Sequence, residues 1–513
     1  MSPAEWWLIV LFVLLFAGIL SGIPAMLAIA GVPLAVAWVA GQAGMFNLTL
    51  LNLYPARVWG VMTNTLLMAV PLFVLMGVLL ERSGLAERML RVLARLMGGS
   101  PRGMALSVLG FSTVIAASTG IIGATIVMLV LIALKPMLEA GIRPHQAAGL
   151  ITASGTLGQI VPPSIVLVLL GDQIGNTYLE AQQRAGNFAP QAVSVADLFA
   201  GALIPGLVLV GLYALWLAVG LGPRRGAAPA ARAEPVAGRE LAFTFAPPLL
   251  LILAVLGSIL GGVATATEAA GLGAVGAALM AAFVPARGAE RWVIGLAGLS
   301  AFGLVALRVA GLGRAGLDTL PGLLAAAAAA LIALGTLVAV VRLLRAGLAQ
   351  AAMVETIKVS GMVFGIVIAA SMLALVFRGF HGDRTVAHLM SGLPGGELGA
   401  VLVVLGVVFV LGFILDAVEI IYIVVPLLGP AVLSGEGSPV WFAVLLAMNL
   451  QTSFLTPPFG FALFYFRAAA PPGVTTGDIY KGVIPFVLLQ LLALAILLAF
   501  PPLATWLPAR IFG

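Results

Sequence analysis

Apolar runs long enough to cross the ~30 Å hydrocarbon core of a bilayer, at about 20 residues per helix, recur from one end of this sequence to the other. They fall at 6–20, 24–41, 57–80, 104–138, 145–171, 198–221, 245–262, 264–284, 292–310, 320–341, 354–377, 398–433, 440–466 and 482–507. Only 9% of the 513 residues are charged, 62% are hydrophobic, and the mean hydropathy is +1.18. A soluble domain carries about 25% charged residues, and even a large one keeps a polar shell. A soluble enzyme, a disordered chain and a coiled coil are excluded, and the sequence reads as an all-α polytopic membrane protein. Glu5 and the absence of Lys or Arg before the first run argue against a signal peptide, so Trp6–Leu20 is read as a span. With no cysteine there is neither a disulfide nor a thiolate metal site. The net charge of +6 sits in short loops, where it bears on orientation rather than on nucleic acid.

Two runs, 104–138 and 398–433, are longer than one crossing requires and carry polar or small residues near their middles. Both read as re-entrant hairpins that enter and leave by the same face. Landmarks repeat along the chain. Pro162-Pro163 returns as Pro457-Pro458, Leu96-Met97-Gly98-Gly99 as Leu393-Pro394-Gly395-Gly396, and Gly110 as Gly406, at offsets of 295, 297 and 296. Such constancy indicates an internal duplication.

Loop charge then orients the copies by the excess of Lys and Arg on the cytoplasmic side. Segment 81–103 carries Arg82, Arg88, Arg91, Arg95 and Arg102 against Glu81 and Glu87, whereas its counterpart 377–397 balances Arg378 and Arg384 with Asp383 and Glu397. The linker 222–240 is basic and the loop 172–197 acidic. Segments 81–103 and 222–240 are therefore expected inside, 172–197 and 377–397 outside, and the halves run in opposite directions. The expected domains are scaffold helices 1–83, a cytoplasmic surface arm 84–103, a first transport half 104–221 and a basic cytoplasmic linker 222–244. They continue with scaffold helices 245–377, an outer surface arm 378–397 and a second transport half 398–513. Ala-rich spans 292–310 and 320–341 have no partner in the first half, so 286–345 reads as an accessory helical pair, its Ala325–Ala330 run explained by close packing. Within the first arm, Arg88, Arg91 and Arg95 alternate with Leu85, Met89, Leu93 and Leu96, the pattern of an amphipathic surface helix.

Inverted repeats with broken helices place transporter sites near the midplane. In the first half, Ser118-Thr119-Gly120 marks the hairpin middle, and Thr152-Ala153-Ser154-Gly155-Thr156-Leu157-Gly158-Gln159-Ile160-Val161-Pro162-Pro163-Ser164 follows on the broken helix. Proline donates no amide and disfavours helix at the residue before it. Carbonyls freed there, with Ser and Thr hydroxyls, can cage a hard cation, and a half-helix N-terminus can hold a carboxylate. The second half repeats the plan with Leu415-Asp416-Ala417-Val418-Glu419 and with Asn449-Leu450-Gln451-Thr452-Ser453-Phe454-Leu455-Thr456-Pro457-Pro458. A carboxylate at that depth costs about 2.5–3.5 kcal/mol and needs compensation. Asp416 reads as a functional or tip-capping residue, while Glu419 remains open between a site role and an interface role. Ser or Thr in a membrane helix more often bonds a nearby backbone, and a lone Pro-Pro more often marks a kink. Their pairing across the halves is what points to a site. The expected sodium cages comprise Ser118, Ser154, Gly155 and Thr156, and Asp416, Asn449, Thr452, Ser453 and Thr456, with Gly158 and both Pro-Pro pairs shaping them. The anion is expected between the tips on amides and bound cations, since no intramembrane Arg or Lys stands out. His145, His381 and His388 read as solvated, and Arg308, Arg314 and Asp318 as a loop turn.

These same stretches, together with Ala470-Pro471-Pro472-Gly473-Val474-Thr475-Thr476-Gly477-Asp478-Ile479-Tyr480, resemble the large membrane subunit of tripartite ATP-independent periplasmic (TRAP) transporters over nearly the whole chain. The first tip, Ala117-Ser118-Thr119-Gly120-Ile121-Ile122-Gly123-Ala124-Thr125, resembles the branch labelled mannitol/chloroaromatic type. Thr265-Ala266-Thr267-Glu268 resembles the family's Thr-Pro-Thr-Glu element, with alanine in place of proline. The resemblance implies an elevator-type ion-transporter-like fold in a multi-pass protein of the bacterial inner membrane. It further implies sodium-coupled import of an organic acid, a small four-helix membrane subunit as a separate chain, and a periplasmic substrate-binding protein. No cofactor is expected beyond the coupling sodium ions, and no GxxxxGK[ST] loop for ATP is present. The chain is expected not to be an enzyme, because its serines lack a histidine at depth to serve as base. An ion channel, or a sodium-coupled carrier working without a binding protein, is the alternative.

Overall fold

Proline, glycine and hydroxyl caps divide the apolar runs of the chain into helices, seen in a computed structural model that describes residues 3–96, 100–221, 236–309, 318–435 and 437–513. Among those residues there is no strand, and ten helices are long and apolar enough to cross a bilayer. The first half contains α1 (Pro3–Leu20), α2 (Ala25–Gln42), α3 (Tyr54–Met62), α4 (Ala69–Arg82) and α5 (Leu85–Leu96). It continues with α6 (Pro101–Thr119), α7 (Ile122–Leu129), α8 (Lys135–Glu139), α9 (Pro144–Thr156), α10 (Ile165–Arg184) and α11 (Val195–Gly220). The second half runs through α12 (Gly238–Leu260), α13 (Ala266–Phe283), α14 (Gly288–Val309), α15 (Leu320–Arg345), α16 (Leu348–Gly379) and α17 (Gly382–Ser391). It ends with α18 (Gly396–Leu411), α19 (Ala417–Leu433), α20 (Pro439–Leu455), α21 (Phe461–Ala469), α22 (Thr476–Ala499) and α23 (Pro502–Phe512).

The fold is an inverted-topology repeat with two helical hairpins and two broken helices. Each hairpin is followed by a helix with proline in its first turn, Pro144 in α9 and Pro439 in α20, where a missing N–H costs nothing. Each broken helix is followed by a capping box, in which Ser194 and Asp197 start α11 and Thr475 and Asp478 start α22. The hydroxyl accepts one orphan backbone N–H and the carboxylate another, so both helices begin at a fixed residue. The same device, Thr265 with Glu268, starts α13, so Thr265 caps a helix there.

Each half braces the other. α13 lies along α4 and α2 lies along α16, with Gly273 against the Met76 thioether and Gly365 against Met26. The arm helices are equally crossed. α5 packs on α6 and on α12, where Arg95 pairs with Glu240, and α17 packs on α19, α16 and α1. α5 buries Leu85, Ala86, Met89, Leu90 and Val92 on one face, the expected amphipathic arrangement. α14 and α15 pack on each other and on α13, and Arg342 of α15 pairs with Glu290 of α14.

Two runs differ from their sequence reading. Residues 57–80 do not form one helix, because the chain bends by 53° between α3 and α4. Asn64 sits at the bend, its side-chain oxygen accepting the Leu66 N–H at 3.0 Å, the local turn that competes with helix. The last run, 482–507, divides at Pro501-Pro502, where α22 has ended and α23 begins. Of the expected features, Met97–Gly99, most of the basic linker (222–235) and Arg314 lie outside the described residues.

Candidate ion and substrate site at the paired helix breaks

The first break is held against the first hairpin by glycine. α6 ends at Gly120, whose φ of +61° suits a residue without Cβ and turns the chain into α7. A Cβ at Gly120 would come within 3.2 Å of the Ile165 amide nitrogen, and one at Gly158 within 3.2 Å of the Ala116 carbonyl oxygen. Backbone therefore rests on backbone where hairpin and broken helix meet. Ser118 and Thr119 occupy the last turn of α6. α9 ends at Thr156, tightens through Leu157–Gln159 and opens at Pro162-Pro163, a cis peptide.

Side chains around this break divide into bonded and unbonded. Thr152 and Thr156 donate to the carbonyls of Ala148 and Ala153 at 2.7 and 2.8 Å, and Ser164 donates to Gln159 O at 3.2 Å. The Ser154 hydroxyl and the Gln159 side-chain oxygen are buried without a hydrogen-bond partner among the described residues. Gly155 packs on the Ile126 side chain of α7, which gives it a close-contact role. Gln490 of α22, fully buried, donates to Tyr213 OH at 2.8 Å and to Thr156 Oγ1 at 3.4 Å.

The second break is tied to its hairpin by side chains. Asn449 Nδ2 donates to Leu405 O at 2.7 Å and Ser453 Oγ to Phe409 O at 2.5 Å. These two rungs, one turn apart on both helices, join α20 to α18. The second rung has a structural cause. The Phe413 N–H, which would bond Phe409 O in a continuing helix, turns to Val410 O at 3.2 Å as α18 ends, leaving the Phe409 carbonyl for Ser453. Gly412 lies against Ser453, where a Cβ would collide with the hydroxyl. Thr452 and Thr456 donate along their own helix to Met448 O at 2.8 Å and Thr452 O at 2.7 Å. Pro457-Pro458 is again cis, and Tyr480 OH donates to Pro458 O at 3.1 Å. Asp416 stands at the N-cap of α19, and its N–H donates to Glu419 Oε2 at 3.2 Å, so Glu419 belongs to the tip and is 7% exposed. Among the described residues no hydrogen bond joins Asp416 to Asn449, Thr452, Ser453 or Thr456.

The halves meet at these tips. The Tyr465 ring of α21 covers Gly123 of α7, where a Cβ would come within 2.7 Å of it, and the same tyrosine lies within electrostatic reach of Asp416. Reciprocally, α19 packs on α10, and Tyr422 OH donates to Asp172 Oδ2 at 3.2 Å. The two hydroxyl clusters are not residue-for-residue copies. At the 295-residue offset Asn449 occupies the place of Ser154, and Ser453 that of Gly158.

Sequence reasoning missed several polar groups. Gln451 is fully buried, with both amide atoms unpartnered among the described residues. It lay within the quoted 449–458 run and Gln490 alone in an apolar one, so a search for amides at depth would have found both. A cavity of about 330 Å³, lined among others by Arg57, Asn64, Asp172, Glu180, Arg378 and Tyr422, opens between α3, α10, α16 and α19. Its arginines stand at span ends, where the sequence reading did not seek an anion contact. No group of three or more His, Asp or Glu fit to hold a metal ion occurs among the described residues.

A helical membrane protein built from two inverted copies, each holding a hairpin against a broken helix, has the architecture of a secondary transporter. The family model described as "Tripartite ATP-independent periplasmic transporter, DctM component" matches residues 8–312 and 298–503, and the chain belongs to that family. It is a membrane transporter permease of the bacterial inner membrane, not an enzyme. Relatives include the isethionate TRAP transporter permease protein DctMQ of Oleidesulfovibrio alaskensis, 25% identical over 93% of this chain. The chain spans 64% of that relative's length. The C4-dicarboxylate TRAP transporter large permease protein DctM of Vibrio cholerae is 26% identical over 87% of this chain and 86% of its own. The sialic acid TRAP transporter permease protein SiaT of Haemophilus influenzae is 24% identical over 86% of this chain and 59% of its own. Among solved structures, the YdaH transporter of Alcanivorax borkumensis shares the fold, with a TM-score of 0.55 and 16% identity over 88% of this chain and 87% of that one.

Proposed function

We propose that this chain is the translocating subunit of a sodium-coupled importer of small organic acids, fed by a periplasmic binding protein and assembled with a small four-helix membrane subunit. The observation that carries the reading is the pair of helix breaks, each pressed against a hairpin at equivalent points of the two halves. Peptide carbonyls released at such breaks are hard oxygen ligands of the kind that bind alkali cations. The orientation of the hydroxyls supports it. Thr156, Thr452, Ser453 and Thr456 each give their proton to a carbonyl, which leaves oxygen lone pairs for a cation, one of those on Thr156 being shared with Gln490. Ser154, Gln159 and Gln451 add buried polar atoms that lack a partner among the described residues, and such groups cost about 1–3 kcal/mol each unless a ligand or water meets them.

In this reading the two hairpins, the two broken helices and the helices after them move as one body. α1–α4, α12, α13 and α16 stay with the partner subunit, and α5 and α17 link the two along opposite membrane faces. Sodium occupies the cages around Ser118, Ser154 and Thr156 and around Asp416, Asn449, Thr452 and Ser453, and the motion is of elevator type. The relatives are named for isethionate, C4-dicarboxylates and sialic acid, and all of these are organic anions. The test is uptake into proteoliposomes holding this chain and the small subunit, with the binding protein outside. Uptake of a radiolabelled acid is expected to require both an inward sodium gradient and the binding protein. Equal uptake with potassium in place of sodium, or without the binding protein, overturns the proposal. Currents far above a carrier's turnover would favour the channel.

A further inference from the structure

We infer that the cavity between α3, α10, α16 and α19 is an anion-binding site on the substrate's path, with Arg57 receiving the carboxylate. This rests on the importer reading above and adds a location and a residue to it. Arg57, half-buried, lines the cavity and has no hydrogen-bond or ion-pair partner among the described residues. A guanidinium so placed lacks the planar, bidentate partner its geometry favours. The neighbouring charges are already committed. Glu180 accepts from Arg378 at 2.7 Å and from Arg184 at 2.7 Å, and Arg184 also reaches Asp383 at 2.9 Å. Asp172 takes Asn64 at 2.9 Å, Tyr422 at 3.2 Å and Asn176 at 3.4 Å, all neutral donors.

These groups form two levels. Arg57 precedes Asn64 on its segment, and Glu180 follows Asp172 on α10 by about two turns, or ~12 Å. Toward the face that loop charge assigns to the outside stand Arg57, Arg378 and Glu180, an excess of one positive charge. Toward the membrane interior stand Asn64, Asp172 and Tyr422, where the Asp172 carboxyl accepts from neutral donors. An entering carboxylate is attracted to the first level, where the positive charge is concentrated. Gln173 also lines the cavity, has no hydrogen-bond partner among the described residues and supplies a neutral amide donor to it. A volume of about 330 Å³ lies at the lower end of the ~300–1,000 Å³ range of ligand sites, which suits a small acid. The walls come from α3 and α16, which stay fixed in the reading above, and from α10 and α19, which move, so an occupant would be gripped between the two bodies.

The chain contains no cysteine, so a single introduced thiol reports on the cavity without background. The experiment places Ser371→Cys or, separately, Gly60→Cys on the cavity wall in the assembled complex. It follows labelling by a membrane-impermeant maleimide with succinate, lactate, benzoate or, as uncharged control, succinamide present. At least one of the acids is expected to slow labelling about threefold or more, succinamide is expected to have no effect, and Arg57→Gln is expected to abolish the protection. In transport, Arg57→Gln is expected to raise KM about tenfold, the scale of a lost charge-assisted hydrogen bond, with kcat less affected and Arg57→Lys intermediate. Equal protection by acid and amide, protection that survives Arg57→Gln, or no labelling of either thiol even without ligand overturns the inference. Wild-type uptake run in parallel separates the two claims. Sodium- and binding-protein-dependent uptake without cavity protection sinks this site alone, whereas absence of that uptake sinks the importer reading.

Discussion

Replacing Ser453 by alanine isolates the contact that fastens the second break to its hairpin. The Cβ remains, so the packing against Gly412 is preserved and only the hydroxyl is removed. What is lost is the 2.5 Å bond to Phe409 O, a carbonyl with no replacement donor because Phe413 N–H is engaged with Val410 O. A hydrogen bond contributes about 0.5–1.5 kcal/mol net, while leaving a buried acceptor unsatisfied costs about 1–3 kcal/mol. The larger range applies as an upper bracket, since the acceptor left bare is Phe409 O, in a contact that is fully buried on the Ser453 side. At about 1.4 kcal/mol per tenfold, opening of the α18 end should become about 5- to 150-fold more frequent. Hydrogen exchange followed by mass spectrometry reads that directly as faster deuteration of the peptide covering 409–416, with α13 and α16 unchanged as internal controls. Sodium-dependent uptake should fall while insertion stays normal. Unaltered exchange at 409–416 together with unaltered sodium affinity would refute both the capping argument and the cage assignment.

Other substitutions probe other contacts. Gln490→Leu strands Tyr213 OH and removes a neighbour from Thr156, and should cost about 1–3 kcal/mol, read as a lower unfolding temperature in detergent. Gly482→Ala sets a methyl group against the His145 carbonyl and the Gly149 backbone, where nothing flexible can yield. Overpacking of about 1–3 kcal/mol should separate α9 from α22 and reduce folded yield, whereas Gly271→Ala, with open space beside it, should be tolerated. Excision of 286–345 with a short linker should leave uptake within a few-fold of wild type, because α14 and α15 rest chiefly on α13. Loss of insertion in that variant would show that the pair is integral.

How much of this was legible in the sequence depends on the range of the interaction. The hairpins and breaks were visible because Pro162-Pro163 and Pro457-Pro458 act on their own backbone, and because 35-residue apolar runs exceed one crossing. The bend at Asn64 was missed, since it depends on one side chain competing for one amide within an apolar run. The rungs from Asn449 and Ser453 were beyond reach for another reason. The cage pattern rests on hydroxyls and amides near each break, whereas these two groups also donate to carbonyls 44 residues earlier, on a different helix. Arg57 was passed over because a charge at the edge of a run looks solvated until α10, α16 and α19 close around it.

The crossed bracing has a consequence for how such a chain could arise. α2 finds its wall in the later copy and α13 in the earlier one, so neither copy is a closed body by itself. A solitary ancestor would have exposed those faces, and burial was available only by embracing a sister molecule inserted upside down. An antiparallel pair of copies is thus the smallest unit that covers both faces, one copy closing its break with glycine contacts and the other with amide and hydroxyl rungs.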